Sequence, residues 1–237
     1  MKTKHLKYFL LLMVLALLLV SLPACAASKT FTQEQTDAWV ARCIADYDAL
    51  HQKDAMHFSR TRTMTREGED KVTLTDAQIW FRGDDYLKEN VDYKGVRHHA
   101  VTKNATGYKM QAADGQSEVW TPAQNPAYEF TRYHTLWEDR GYQFESIRGK
   151  GDETEVTFYW DLGHDNCTLS AQTYRLTFCY QGENISRIFL VFTTYNGTRI
   201  NPENIRSVET NEYVFHSTPE SEITAKIDAA YQKATGK

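Results

Sequence analysis

Three groups of side chains have the composition of a reaction centre: His164-Asp165-Asn166-Cys167, the pair His98-His99, and the acidic pairs Asp84-Asp85 and Glu138-Asp139. The first places a base, an acid and a thiol together, the set a cysteine nucleophile activated by imidazole requires. Its neighbours are turn formers between two strand-like runs, and no cysteine-enzyme signature surrounds Cys167, so a loop is expected there. Adjacent histidines on a strand point to opposite faces, so His98 and His99 are not placed to chelate one ion. No H-E-x-x-H, paired C-x-x-C or EF-hand loop occurs, and the histidines are expected to be solvated strand residues. Each acidic pair fits a turn or a solvated helix end and carries no specific acid–base signal. With no G-x-S-x-G elbow, phosphate loop or G-x-G-x-x-G either, the sequence predicts no catalytic residue, no metal and no cofactor.

Aromatic residues are the more telling chemistry, with 5 Trp, 14 Tyr and 11 Phe among 237 residues. Val156, Phe158 and Trp160 alternate against Thr157, Tyr159 and Asp161, while Tyr174, Leu176, Phe178 and Tyr180 alternate against Arg175, Thr177 and Cys179. If the two apolar faces coincide they form a wall able to bury most of a small apolar ligand. Trp160, Phe158, Tyr174 and Phe178 are therefore the expected ligand-binding residues. Covered fully by helices, the same wall would be plain core, an outcome favoured because aromatic burial stabilises a fold with or without a ligand.

The elements that must position this wall are legible from periodicity and punctuation. Thr32-Gln33-Glu34-Gln35 is a capping-box candidate, opening a helix to about His51 with Thr36, Val40, Cys43, Tyr47 and Leu50 on one stripe. Strand-like runs follow at 57–66, 71–82, 86–93, 96–103, 108–112 and 118–121, with turns at Gly68, Gly83-Asp84-Asp85, 104–107 and Asp114-Gly115. A short helical turn is expected around Tyr133, Leu136, Trp137 and Arg140. Ile188-Phe189-Leu190-Val191-Phe192 is apolar on both faces, which predicts a central strand covered on both sides. A strand at about 207–216 precedes a last helix with Thr218 as N-cap, Pro219 in the first turn, and Ile223, Ile227, Tyr231 and Ala234 as its stripe. The expected class is α+β: a curved antiparallel β-sheet, a half-barrel-like meander, packed with an N-terminal and a C-terminal helix.

The N-terminus carries an address. Lys2, Lys4 and Lys7 precede an apolar run of 13 residues from Tyr8 to Val20. As a helix this run spans about 20 Å, short of a bilayer core of about 30 Å, and reads as a signal-peptide segment. Leu22-Pro23-Ala24-Cys25 then resembles the lipobox of bacterial prolipoproteins. The resemblance implies a diacylglyceryl group on the Cys25 thiol and cleavage before it, giving a signal peptide at 1–24, a lipidated tether at 25–31 and one α+β domain at 32–237. Plain secretion with cleavage before Ala27 is the competing reading, since Ala24-Cys25-Ala26 fits an A-x-A site. Removing residues 1–24 leaves 24 basic residues against 31 acidic ones, a net charge of −7 that disfavours nucleic acid as a partner. Cys43 falls on a helix stripe as a small core residue, and Cys167 and Cys179 are candidates for a pair whose separation the sequence does not set.

A second resemblance lies within the strand-rich part. Asp114-Gly115 followed by Val119-Trp120-Thr121-Pro122 resembles the "D-G … l-W-x-x-P" segment of LolA-like lipoprotein carriers. It implies a bent half-barrel that wraps helices and encloses an apolar cavity for acyl chains. A bent sheet of the cystatin or nuclear-transport-factor type would give a similar alternation. The expected function is a lipoprotein anchored at the outer face of the cytoplasmic membrane in a bacterial envelope, a non-enzymatic binding or carrier domain for an apolar or lipid-like ligand. Its expected partners are the membrane, through the N-terminal lipid, and an apolar ligand or an envelope protein. The alternatives are an envelope-acting hydrolase, resting on His164, Asp165 and Cys167, and a protein-interaction module whose concave face receives a peptide strand.

Overall fold

The computed structural model describes residues 28–111, 117–120, 142–163 and 170–236. Helix α1 (Gln33–His51) opens on the expected capping box. The Gln35 amide donates to the Thr32 hydroxyl at 3.2 Å, and the Thr32 amide donates to the Gln35 side chain at 2.9 Å. Among the described residues eleven strands follow: β1 (Ala55–Arg66), β2 (Val72–Arg82), β3 (Asp85–Asp92), β4 (Arg97–Lys103), β5 (Thr106–Gln111), β6 (Ser117–Trp120), β7 (Gln143–Lys150), β8 (Glu153–Gly163), β9 (Gln172–Gln181), β10 (Asn184–Tyr195) and β11 (Ile205–His216). Helix α2 (Glu220–Thr235) follows the last strand.

Every ladder among the described residues is antiparallel, and the strand order is β6-β5-β4-β3-β2-β1-β11-β10-β9-β8-β7. The α+β class with one helix before and one after the strands matches the expectation. The path differs from one continuous meander. The chain leaves β6 at one edge, restarts with β7 at the other, and works inward until β11 pairs with β1 in mid-sheet. The two edge strands do not pair with each other, so the sheet stays open. Register breaks at Arg62/Thr63, Thr194/Tyr195, Ile185/Arg187, Phe144/Ser146 and Asp161/Gly163 each add local twist and bend. The β4–β5 hairpin turns on Asn104 and Ala105, both left-handed at φ 52° and 62°, the geometry whose twist suits a two-residue hairpin. Gly107, expected in that turn, is already in β5.

Helices α1 and α2 lie on opposite faces. Cys43, Tyr47 and Leu50 of α1 join one core with Phe58, Ile79, Phe81 and Tyr86 from the first meander and Val156, Phe158, Phe178 and Ile188 from the second. One cluster drawing on both meanders requires the sheet to wrap toward this face. Ile223, Ile227 and Ala234 of α2 pack instead on Trp80, Leu87 and Val101, which alternate with the first set. Because α2 covers β1 to β5, it leaves Phe189 and Val191 of β10 half-buried, against the expectation of a strand roofed on both sides. The Arg187 guanidinium lies over the Phe189 ring instead, 5.6 Å from its centroid. Thr218 does not cap α2. The N-cap is Pro219, with no side-chain cap, and the Thr218 hydroxyl is engaged by His57.

Ahead of α1, the chain straps the β7 edge. Ser28 bridges Lys150, and the Lys29 amide donates to the Gly149 carbonyl at 2.9 Å. A Cβ on Gly149 would sit 2.8 Å from Lys29 Cδ and 2.9 Å from Phe31 Cζ, so this crossing needs glycine. The strap also blunts an edge that would otherwise offer unpaired backbone groups.

Candidate functional site

Strand register stacks the aromatic residues in rows across the α1 face. Val156 pairs with Phe178 and Phe178 with Ile188; Phe158 pairs with Leu176 and Leu176 with Leu190; Trp160 pairs with Tyr174 and Tyr174 with Phe192. The two runs that alternate in the sequence thus share one face. Trp160, Phe158, Tyr174 and Phe178 are brought together, but in two environments.

Phe158 and Phe178 are core, at 2% and 0% exposure. Their rings meet edge to face at 5.9 Å, and Tyr47 of α1 closes over Phe178 at 5.6 Å. Trp160 and Tyr174 are half-buried. Their rings stack at 5.3 Å with 12° between planes, and Phe192 continues the stack on Tyr174 at 4.7 Å. Tyr142, just before β7, adds an edge contact to Trp160 at 5.9 Å. The result is a row of four rings across the sheet.

The row ends on charge. Phe192 pairs with Glu209 of β11, whose carboxylate receives Nε and Nη2 of Arg62, both at 2.8 Å, and Nδ2 of Asn211 at 3.1 Å. Burial pushes the Glu209 carboxyl up, but these bonds outweigh it and hold it below the usual carboxylate range. Glu209 is thereby kept ionised by three hydrogen bonds, which suits an electrostatic stop and not a proton donor. Phe192, Tyr142 and this ion pair were missed from sequence. Phe192 was within reach, since it alternates with Ile188 and Leu190, whereas the ion pair exists only once β1 and β11 are in register.

Other polar groups near the core are locks. The Tyr180 hydroxyl donates to Asp46 at 3.0 Å and lies 3.6 Å from Cys43 Sγ, while Arg42 sits over both the Trp39 and Tyr180 rings at 5.1 and 5.3 Å. Burial pushes the Cys43 thiol up to about 12 and raises the Tyr180 phenol as well, so neither is an activated nucleophile. Cys179 is likewise a buried free thiol, pushed up to about 11 by burial and by Glu155.

On the α2 face, His57 stacks on Trp80 at 4.6 Å and on His216 at 4.3 Å. The Gln78 carbonyl oxygen accepts from its Nε2–H at 3.0 Å, which leaves Nδ1 to accept from the Thr218 hydroxyl at 2.7 Å. Burial lowers its pKa, so the ring is kept neutral where it stitches the entry of α2 to β1 and β2.

His98 and His99 point to opposite faces and pair separately, with Asp92 at 3.1 Å and Glu89 at 3.5 Å. Asp85 accepts from the Asn104 amide at 3.0 Å, a turn contact. Among the described residues no three metal-ligating side chains cluster. Cys25, Asp114-Gly115, Glu138-Asp139, His164, Asp165 and Cys167, and the expected helical turn near Tyr133, lie outside the described residues; Val119 and Trp120 fall on β6.

No protein-family model matches this chain, and no curated protein matches it. Among solved structures it is similar to a LolA superfamily protein from Nitrosomonas europaea, with a TM-score of 0.31 and 10% identity over 77% of this chain and 96% of that one. It is also similar to a DUF1329 family protein from Desulfovibrio piger, with a TM-score of 0.29 and 7% identity over 78% of this chain and 95% of that one.

Proposed function

We propose that this chain is a lipid-anchored, extracytoplasmic binding or carrier protein for an apolar, lipid-like ligand, and that it performs no chemical step. The observation that carries the reading is the row Tyr142–Trp160–Tyr174–Phe192, half-buried and beyond the rings that Tyr47 closes over. Stacked rings present a long apolar surface, and the Arg62–Glu209 pair ends it with polar groups suited to a ligand with one polar end. Phe158 and Phe178 serve as the packed base of this wall, with Trp160 and Tyr174 as its contact residues. Each methylene withdrawn from water onto such a surface contributes about 0.8 kcal/mol, so affinity is expected to climb with chain length.

The anchor is the lipobox Cys25, three residues before the strap at Ser28. Among the described residues no helix is long and apolar enough to cross a membrane, which is compatible with attachment through a lipid. The test is native mass spectrometry of the body lacking residues 1–25 after exposure to an envelope lipid extract. A retained lipid is expected, with retention falling in Trp160→Ala while the fold persists. No adduct across lipid classes, or an adduct indifferent to Trp160, would refute the reading.

A further inference from the structure

Where the chain leaves for Cys25, it borders a groove of about 540 Å³ between the strap and the first turns of α1, lined in part by Lys29, Phe31, Gln35, Trp39 and Arg42. We propose that this groove rests on the phospholipid headgroup layer of the membrane holding Cys25, with Phe31 and Trp39 as the interfacial rings and Lys29 as the cation. The proposal rests on the lipid anchor of the proposed function.

Covalent reach sets the position. Ser28 is pinned to Lys150, and the three peptide units back to Cys25 span at most about 11 Å at about 3.6 Å each. A lipidated Cys25 therefore holds the strap within about 11 Å of the residue that carries the acyl chains, a reach of about two headgroup layers at roughly 5–7 Å each. The chemistry of the groove fits that layer. Phe31 and Trp39 are half-buried, each with an apolar body anchored in the protein, and tryptophan favours the level of the headgroups. Arg42, held by Asp46 and the Glu183 carbonyl, fixes one face of the Trp39 ring, so ordering it against lipid costs little.

Lys29 and Lys150 are exposed neighbours across the Ser28 bridge, and neither forms an ion pair among the described residues. A cation near an anionic leaflet contributes about 1 kcal/mol. The exposed acids of this turn, Glu34 and Asp37, lie two to five residues from Trp39, which at about 100° per residue puts them on the far side of the helix. Trp160 is six residues along β8 from Thr154, the partner of Gly149, so the row stands about 20 Å along the strand from the strap end.

The test uses the mature lipidated protein in phosphatidylcholine–phosphatidylglycerol vesicles with a spin label on the headgroup. Tryptophan quenching is expected in the wild-type protein, to be lost in its Trp39 component in Trp39→Phe, and to fall in Lys29→Glu while flotation with the vesicles is unchanged. Protein that floats but is quenched equally in wild type and Trp39→Phe overturns the contact and leaves the anchor standing. A mature chain whose intact mass shows no lipid on Cys25 overturns both.

Discussion

Replacing Gly149 with alanine tests the seating of the strap through the sign of its effect. Gly149 has no left-handed backbone requirement, and at such a position in a strand alanine ordinarily stabilises by about 0.4–1 kcal/mol, by restricting the unfolded chain. Here the new methyl would meet Lys29 Cδ at 2.8 Å, Phe31 Cζ at 2.9 Å and Lys29 Cβ at 3.0 Å. The lysine tip can swing away, but the ring and Lys29 Cβ move only if the strap does. Overpacking of this kind costs about 1–3 kcal/mol, which outweighs the gain and leaves a net loss of about 1–2 kcal/mol. For a chain of this size that lowers Tm by about 2–8 °C. The assay is thermal unfolding of Gly149→Ala, Phe31→Ala and the double variant. The alanine should cost less in the Phe31→Ala background, because the ring it collides with is gone. A rise in Tm for Gly149→Ala, or an equal cost in both backgrounds, would refute the seated strap and with it the groove's position.

Phe178→Ala should lose about 3–5 kcal/mol by urea midpoint, as expected for an aromatic side chain removed from a closed core, while Trp160→Ala should lose less and lower ligand retention. Equal losses would make the whole wall core. His57 is harder to protonate in the folded chain than in the unfolded one, so its contribution is full above the ordinary imidazole value of 6.5 and is lost as pH falls below it toward the folded value. Tm measured from about pH 7.5 to about pH 5.5 should therefore fall more steeply in wild type than in His57→Gln, and parallel profiles would contradict the assignment. Cys43 and Cys179, with thiols pushed up to about 12 and about 11, should resist iodoacetamide in the native protein and react once it is unfolded, as peptide mapping would show.

What could be read in advance follows the range of the physics involved. The start of α1 depends on atoms three residues apart, and the Thr32–Gln35 box announces it; strand alternation is equally local. Sheet order is not. Nothing local in Gln143–Lys150 says that β7 lies at the far edge, or that β11 pairs with β1. An amphipathic stripe declares that a helix has a buried side, without naming the face that receives it, and so the opposed helices were not legible. Thr218 does not cap because the helix starts one residue later, with Pro219 at the N-cap, and the Thr218 side chain turns to His57, 161 residues earlier. The wall shows both limits at once. Alternation placed Phe158 and Trp160 on one face, but only the docked helix separates core from margin: Tyr47 closes over Phe178, and Trp160, two rows away, stays half-buried.

The seam between β1 and β11 has a consequence for how the chain is made. It pairs residues 57–66 with residues 207–216, so closing it joins segments about 150 residues apart, at an entropic cost of about 4–5 kcal/mol. Synthesis proceeds from the N-terminus, so the first meander waits with the inner side of β1 bare until nearly the last strand has emerged. That exposed side belongs to Ser59, Arg60, Thr61, Arg62 and Thr63, and charged, hydroxyl-rich strands are poor templates for pairing with a stranger. The arginine that ends the aromatic row in the finished molecule thus also guards an unfinished one. A chain stopped before Ile205 leaves both β1 and β10 with raw edges, and it should clump instead of persisting as a half-built sheet.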